Sequence, residues 1–318
     1  MAWYSIYKYT FSKNQQGELF TLDNHSSVFD NAQHYFGSLF TQGTSLVAFK
    51  KKKDELVSCP NGILSHRSDI IVMRLCDNRN VSIWQDYKKN PEVTNPFCQI
   101  VIDNRPGRAL MAIEKESSFG NPDKAAEILE ETINNYLRDY RISIEIKQHT
   151  RVDEFWSYVD EQTLVNKDPI RKVVFDYPNP KLTKSLFIPK DVETKVNALF
   201  TMLGNTNAVK GHLQMEASKE GSLQLKRTKK DMAQMVALCC NNGYNLSVYF
   251  KNYGIFRVND RIKTVKSMDE SILNDFIAGV QLTSGSFGLI VWLDDLYNYL
   301  KICKNATEIP SPRKRRNT

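Results

Sequence analysis

The stretch CQIVIDNRPGRALMAIEK, Cys98 to Lys115, decides the fold class. Two apolar runs, CQIVI and ALMAI, flank Pro106-Gly107. Proline presets φ and glycine accepts the conformations that tight turns require, so the pair is a turn signal. Two short apolar runs joined in this way read as an antiparallel hairpin.

The segments on either side extend the same pattern. Ala2–Phe11 alternates like a strand, and further short strands are expected at Ser45–Lys50, Asp69–Leu75 and Val81–Gln85. Ser26 or Ser27 caps an expected helix in which Val28, Phe29, Ala32, Tyr35, Phe36, Leu39 and Phe40 recur at helical spacing. Asn121 and Pro122 supply the cap and first-turn residue of another, with Ala126, Leu129, Ile133, Tyr136, Leu137 and Tyr140 on its apolar face. RISIEIKQ, Arg141–Gln148, then returns as a strand to the same sheet. Many strands with few helices between them define an α+β fold built on mixed or mainly antiparallel sheets, as opposed to a doubly wound one.

At 318 residues the chain has the length of two ordinary domains. A helix over Val152–Val165 closes the first, residues 1–165. In KDPIRK and DYPNPKL, Pro169, Pro178 and Pro180 interrupt regular structure, which places a linker at 166–182. The second α+β domain, 183–304, begins with a helix at Val192–Leu203. A hairpin follows in GHLQMEASKEGSLQLKR, turning at Lys219–Gly221. Thr228 caps the next helix, whose apolar face carries Met232, Met235, Val236 and Cys239 and which stops at Asn242-Gly243. Ser267 and Glu270 form a capping box for a helix over Met268–Val280, and a last helix runs from Leu289 to Lys304. Residues 305–318, which include PRKRR, read as a disordered basic tail.

With 41% hydrophobic and 25% charged residues, the composition excludes a wholly disordered or fibrous chain. There is no apolar run of membrane-spanning length, and MAWYSIYKYTF lacks the pattern of a secretory leader, so a cytoplasmic protein without membrane association is expected. The six cysteines have neither CxxC nor Cys/His ligand spacing and read as reduced core residues. The five histidines show no metal-ligand spacing either.

The net charge of +7 is localised. Residues 1–200 hold 26 basic and 26 acidic side chains, whereas 201–266 hold 11 and 4. An excess confined to one segment points to a polyanionic partner. Within that segment lies NLSVYFKNYGIFRVNDRIKTVK, Asn245–Lys266. Strand alternation sends Val248, Phe250, Phe256 and Val258 to the core, and turns Tyr249, Lys251 and Arg257 outward. Arg261 and Lys263 share a face of the expected next strand. Together with Lys226, Arg227, Lys229 and Lys230 they make a cationic surface with a tyrosine for base stacking, as single-stranded nucleic acid requires. The main expectation is therefore a nucleic-acid-binding protein acting through phosphate contacts, DNA or RNA, without cofactor or metal. Its asparagine-rich, lysine-rich composition fits an AT-rich genome and a bacterial or phage defence setting.

Two alternatives carry different chemistry. Glu216 on one strand, with Gln224-Leu225-Lys226 on its expected hairpin partner, resembles a degenerate core of the PD-(D/E)xK nucleases over about 60 residues. That resemblance implies a divalent metal held by Glu216 and a supporting role for Lys226, although Gln224 stands where the pattern has a carboxylate. The other alternative is a non-catalytic adaptor or regulatory subunit whose neutral first domain meets a protein partner. No Walker-type loop, GxGxxG or GxSxG occurs.

Overall fold

A computed structural model describes residues 1–13, 26–52, 55–85, 88–188 and 192–304. The basic tail from 305 lies outside the described residues.

In chain order, the first elements are β1 (Ala2–Lys13), α1 (Ser26–Asp30), α2 (Ala32–Ser38), β2 (Phe49–Lys52), β3 (Glu55–Ser58), β4 (Asn61–Arg67) and β5 (Ile70–Cys76). They are followed by β6 (Arg79–Gln85), β7 (Lys88–Thr94), β8 (Phe97–Asp103), β9 (Leu110–Glu114), α3 (Pro122–Leu137), β10 (Ile142–Gln148), α4 (Val152–Asp160) and β11 (Ile170–Pro178). Then come β12 (Thr183–Lys184), α5 (Thr194–Thr206), β13 (Lys210–Glu216), α6 (Lys230–Asn242), β14 (Leu246–Phe250) and β15 (Gly254–Arg257). The last are α7 (Val258–Arg261), β16 (Val265–Met268), α8 (Glu270–Ala278) and α9 (Gly288–Lys304). Helices and antiparallel sheets together make a mixed α+β architecture.

The chain divides into two compact units. Among the described residues, one comprises those within 1–148, 183–185 and 264–295; the other comprises those within 149–182, 186–263 and 296–304. The expected linker, 166–182, falls within the second of these units. The segment 166–182 contains β11, with Pro169 just before the strand and Pro178 as its last residue. Proline is tolerated at a strand end, where no ladder N–H is needed, so here the prolines delimit a strand.

The first unit is organised around β1, which is buried from Tyr4 to Ser12. Its sheet runs β10-β1-β9-β8-β5-β4, and β12 and β16 also pair with β1, giving eight strands. The hairpin expected around Pro106-Gly107 is present: Ile100 pairs with Ile113 and Asp103 with Leu110. β10 returns to the same sheet beside β1, as RISIEIKQ suggested. Over one face lies α3, where the Asn121 side chain accepts the Asp123 N–H at 3.1 Å and Pro122 opens the first turn. The expected single helix over 26–40 is instead two short ones, interrupted at Asn31, with Phe36 packed edge-on against Phe11 at 5.6 Å. The expected capping box also shifts. Ser267 is taken up in β16 opposite Trp3, and Asp269 caps α8 by accepting the Ser271 N–H at 3.1 Å.

The second unit holds a four-stranded antiparallel sheet, ordered β13-β11-β14-β15. Val173, Phe175, Leu246, Val248 and Phe256 share a core with α4, α5 and α6. α6 stops at Gly243, whose φ of 68° suits glycine, as the Asn-Gly signal indicated. Among the described residues no helix is long and apolar enough to cross a membrane.

Candidate functional site

The register of the second sheet fixes which side chains share its polar face. One cross-strand row is His212 and Asp176; the next is Gln214, Val174, Ser247 and Arg257; the third is Glu216, Lys172, Tyr249 and Ile255. Val248, Phe250, Phe256 and Val258 are buried and Arg257 is exposed, as strand alternation required. The polar face is of mixed charge, however. Asp176 Oδ1 lies 2.7 Å from the His212 ring Nδ1, and Glu216 stands beside Lys172. Tyr249 is half-buried, with the Lys172 ammonium 5.0 Å from its ring centre. It is therefore already engaged by a cation from the neighbouring strand.

The expected strand over Arg261–Lys266 is replaced by α7 and a short irregular segment before β16. Arg261 thus leaves the sheet, and its guanidinium lies 5.6 Å from the centre of the Tyr253 ring. Lys263 is partly buried in the segment after α7. Tyr253, 41% exposed, presents more ring to solvent than the half-buried Tyr249. Its edge meets Tyr158 at 5.8 Å, and burial together with the Tyr253 hydroxyl pushes the Tyr158 phenol well above its ordinary value.

The hairpin expected between Glu216 and Lys226 is also absent. β13 pairs with β11, and the chain leaves that edge after Ala217, whose N–H still reaches Arg171 O at 2.8 Å. It turns at Ser218–Gly221 and rejoins the same edge in the same direction, where Leu223 N–H reaches Ile170 O at 2.8 Å. Arg171 holds this excursion by donating to the carbonyl oxygens of Gly221 and Lys219. Glu216 and Gln224–Lys226 are therefore successive stretches of one edge and do not oppose each other on paired strands, so the strand arrangement behind the nuclease resemblance is missing. Among the described residues no group of three or more His, Cys, Asp or Glu side chains is placed to hold a metal ion.

Cations gather instead at the head of β11. After α4 the helix widens into a π-type turn, Glu161–Val165, and Lys167 adopts a left-handed φ of 52° that redirects the chain into the strand. A cleft of about 520 Å³ opens between this turn and Ser222–Thr228, and Lys167, Lys226 and Arg227 line it. Buried Asp168 belongs to the same lining, but its carboxylate accepts the backbone N–H groups of Asn252 (3.0 Å) and Tyr253 (2.7 Å) and the Asn252 side chain (3.1 Å). These bonds tie the β14–β15 turn to the cleft. Lys251 N–H in turn reaches Pro169 O at 3.1 Å, bringing exposed Lys251 to the same end of the sheet.

Exposed Lys229 and Lys230 follow at the start of α6. The N-cap is Lys229, and no side chain caps the helix, so the expected Thr228 cap is not formed. In its first turn, Asp231 meets Lys195 at 3.2 Å. Burial opposes ionisation there, yet the Lys195 ammonium and the Met232 N–H hold the carboxyl below its ordinary value.

Of the residues singled out in the sequence, Lys226, Arg227, Lys229, Lys230 and Lys251 come to this end of the sheet, and Arg261 joins it through Tyr253. Tyr249 and Arg257 lie along the polar face, and Glu216 sits at its edge opposite Lys172. Lys167, Lys172 and Tyr253 complete the surface. The two lysines flank or lie within a segment whose prolines masked a strand. For Lys172, the β-branched and aromatic run VVF that follows it was the available signal. No known family model and no curated protein matches the chain.

Proposed function

We propose that the second unit binds nucleic acid, mainly through phosphate contacts made at the head of β11 and the start of α6. The observation that carries this reading is the convergence of Lys167, Lys226 and Arg227 on one cleft, with Lys229 and Lys230 following directly in the chain. Phosphate neutralisation by clustered Lys and Arg is the sequence-independent part of nucleic-acid affinity. Of the two carboxylates that line the cleft, that of Asp168 is buried and held by the β14–β15 turn, and that of Asp160 is exposed. Tyr253, 41% exposed and with the Arg261 guanidinium 5.6 Å from its ring centre, adds an aromatic at the same end whose open side is suited to stacking on a base. The reading favours single strands over a duplex, because an exposed ring stacks only on unpaired bases.

The test is the salt dependence of binding to short single-stranded DNA and RNA. Affinity is expected to fall steeply with salt, and changing Lys226, Arg227, Lys229 and Lys230 together to alanine should remove most of it. For every phosphate that is no longer neutralised, the slope of log K against log salt should become shallower by about 0.7. No binding at low salt, or full affinity in the quadruple variant, overturns the proposal.

A further inference from the structure

We infer that the 520 Å³ cleft at the head of β11 receives one nucleotide bearing a terminal phosphate. This rests on the nucleic-acid reading and narrows it from backbone contact to the recognition of an end. The size comes first. Cavities of about 300–1,000 Å³ hold single small molecules, so this one admits a nucleotide but no duplex.

The two walls differ in chemistry along their length. Leu164, Pro169 and Leu223 offer apolar surface against which a flat base can lie. Leu164 is 71% exposed, so its side chain is open to a ligand. Gln224 is exposed on the same wall, and its carboxamide has both a donor and an acceptor for the edge of a base. Base-compatible surface is thus present together with a polar reader.

The cations define the other half of the ligand. Lys167 comes from the wall that follows α4, and Lys226 and Arg227 come from the wall that precedes α6, so positive charge approaches from both sides. The Thr228 hydroxyl lines the cleft next to them. An internal phosphodiester carries one negative charge, whereas a terminal phosphate monoester carries close to two at neutral pH and has three acceptor oxygens. Cations on both walls, with the Thr228 hydroxyl beside them, can reach the three free oxygens of a monoester from opposite sides, whereas a diester offers two. A guanidinium adds forked donors suited to such a group. The same chemistry is offered by the phosphorylated end of a strand and by a free mononucleotide.

The experiment compares short single strands that differ only in their ends: 5′-phosphorylated, 3′-phosphorylated and unphosphorylated, each in DNA and RNA, read by fluorescence anisotropy with the label at the opposite end. Nucleoside monophosphates are titrated in parallel by calorimetry. A preference of about tenfold or more for one phosphorylated end is expected. Lys167→Ala should abolish that preference, and Gln224→Ala should weaken binding of the mononucleotide. Both residues are exposed, and thermal unfolding confirms that the variants fold.

Equal affinity for all three ends together with no mononucleotide binding overturns the inference while leaving general phosphate contact intact. A persistent end preference in Lys167→Ala also overturns it. Mononucleotide binding without oligonucleotide binding keeps the cleft as a nucleotide site and removes the broader reading. Binding of neither removes both.

Discussion

Asp168 and Tyr253 meet where β11 begins: the buried Asp168 carboxylate accepts the Tyr253 backbone N–H at 2.7 Å. Because it also accepts from Asn252, one carboxylate sets the conformation of the β14–β15 turn. Asp168→Ala leaves those donors without their acceptor and is expected to cost about 2–3 kcal/mol. Asp168→Asn, which keeps one acceptor oxygen, should cost less. Urea denaturation of the unchanged protein and the two variants checks the order, and an Asp168→Ala variant as stable as the unchanged protein would show that the carboxylate does not hold the turn.

Gly211 faces Tyr177 across the β11–β13 pair. A Cβ at Gly211 would lie 2.5 Å from the Tyr177 ring, closer than side-chain carbons approach. Gly211→Ala is therefore expected to destabilise the protein by about 1–3 kcal/mol through overpacking. Pairing it with Tyr177→Leu should recover part of the loss. A double-mutant cycle measures the coupling, and strict additivity would show that the two positions do not compete for space.

Stability should decline at alkaline pH. Burial raises the thiols of Cys98 and Cys239 above their ordinary range and pushes that of Cys240 up to about 12. Burial likewise raises the phenols of Tyr7 and Tyr9. These groups stay protonated in the folded chain at pH values where the unfolded chain releases their protons. Their contribution is complete below about pH 8.5 and is lost above it, first from the thiols and then, beyond about pH 10, from the tyrosines. Denaturation midpoints measured from about pH 7 to 10.5 test this. The same burial predicts that Cys98, Cys239 and Cys240 react with a thiol reagent only after unfolding.

Removing Arg171 should release the Lys219–Gly221 excursion, since its guanidinium donates to two carbonyl oxygens there. Arg171→Ala is expected to speed tryptic cleavage after Lys219 severalfold with little change in the global unfolding midpoint. Limited proteolysis with mass analysis reads both, and an unchanged cleavage rate would show that the excursion is held without it.

The sequence was legible where the signal is local. Asn121-Pro122 and Asn242-Gly243 mark helix ends because capping and the left-handed turn depend on neighbouring residues alone. Alternation likewise assigned Val248, Phe250 and Phe256 to the core. The misreadings involved distant partners. Whether the chain reverses after Glu216 is decided at β11 and by Arg171, fifty residues before Gly221, and the turn residues at Lys219–Gly221 contain no record of it. Prolines around β11 look the same whether they end a strand or break a linker, so Lys172 and the cleft wall at Lys167 were hidden. The basic cluster at 226–230 stood out by charge, but its cleft depends on the turn after α4, which composition does not register.

The pairing of Ala2 with Met268 has a consequence for synthesis. At about 5–20 residues per second, the ribosome needs roughly 13–50 s after making the first strand to deliver its last partner. Throughout that interval part of one edge of β1, a strand built for burial along most of its length, waits uncovered on the nascent chain, where a holding chaperone or a neighbouring polysomal copy competes with β16 for the same hydrogen bonds.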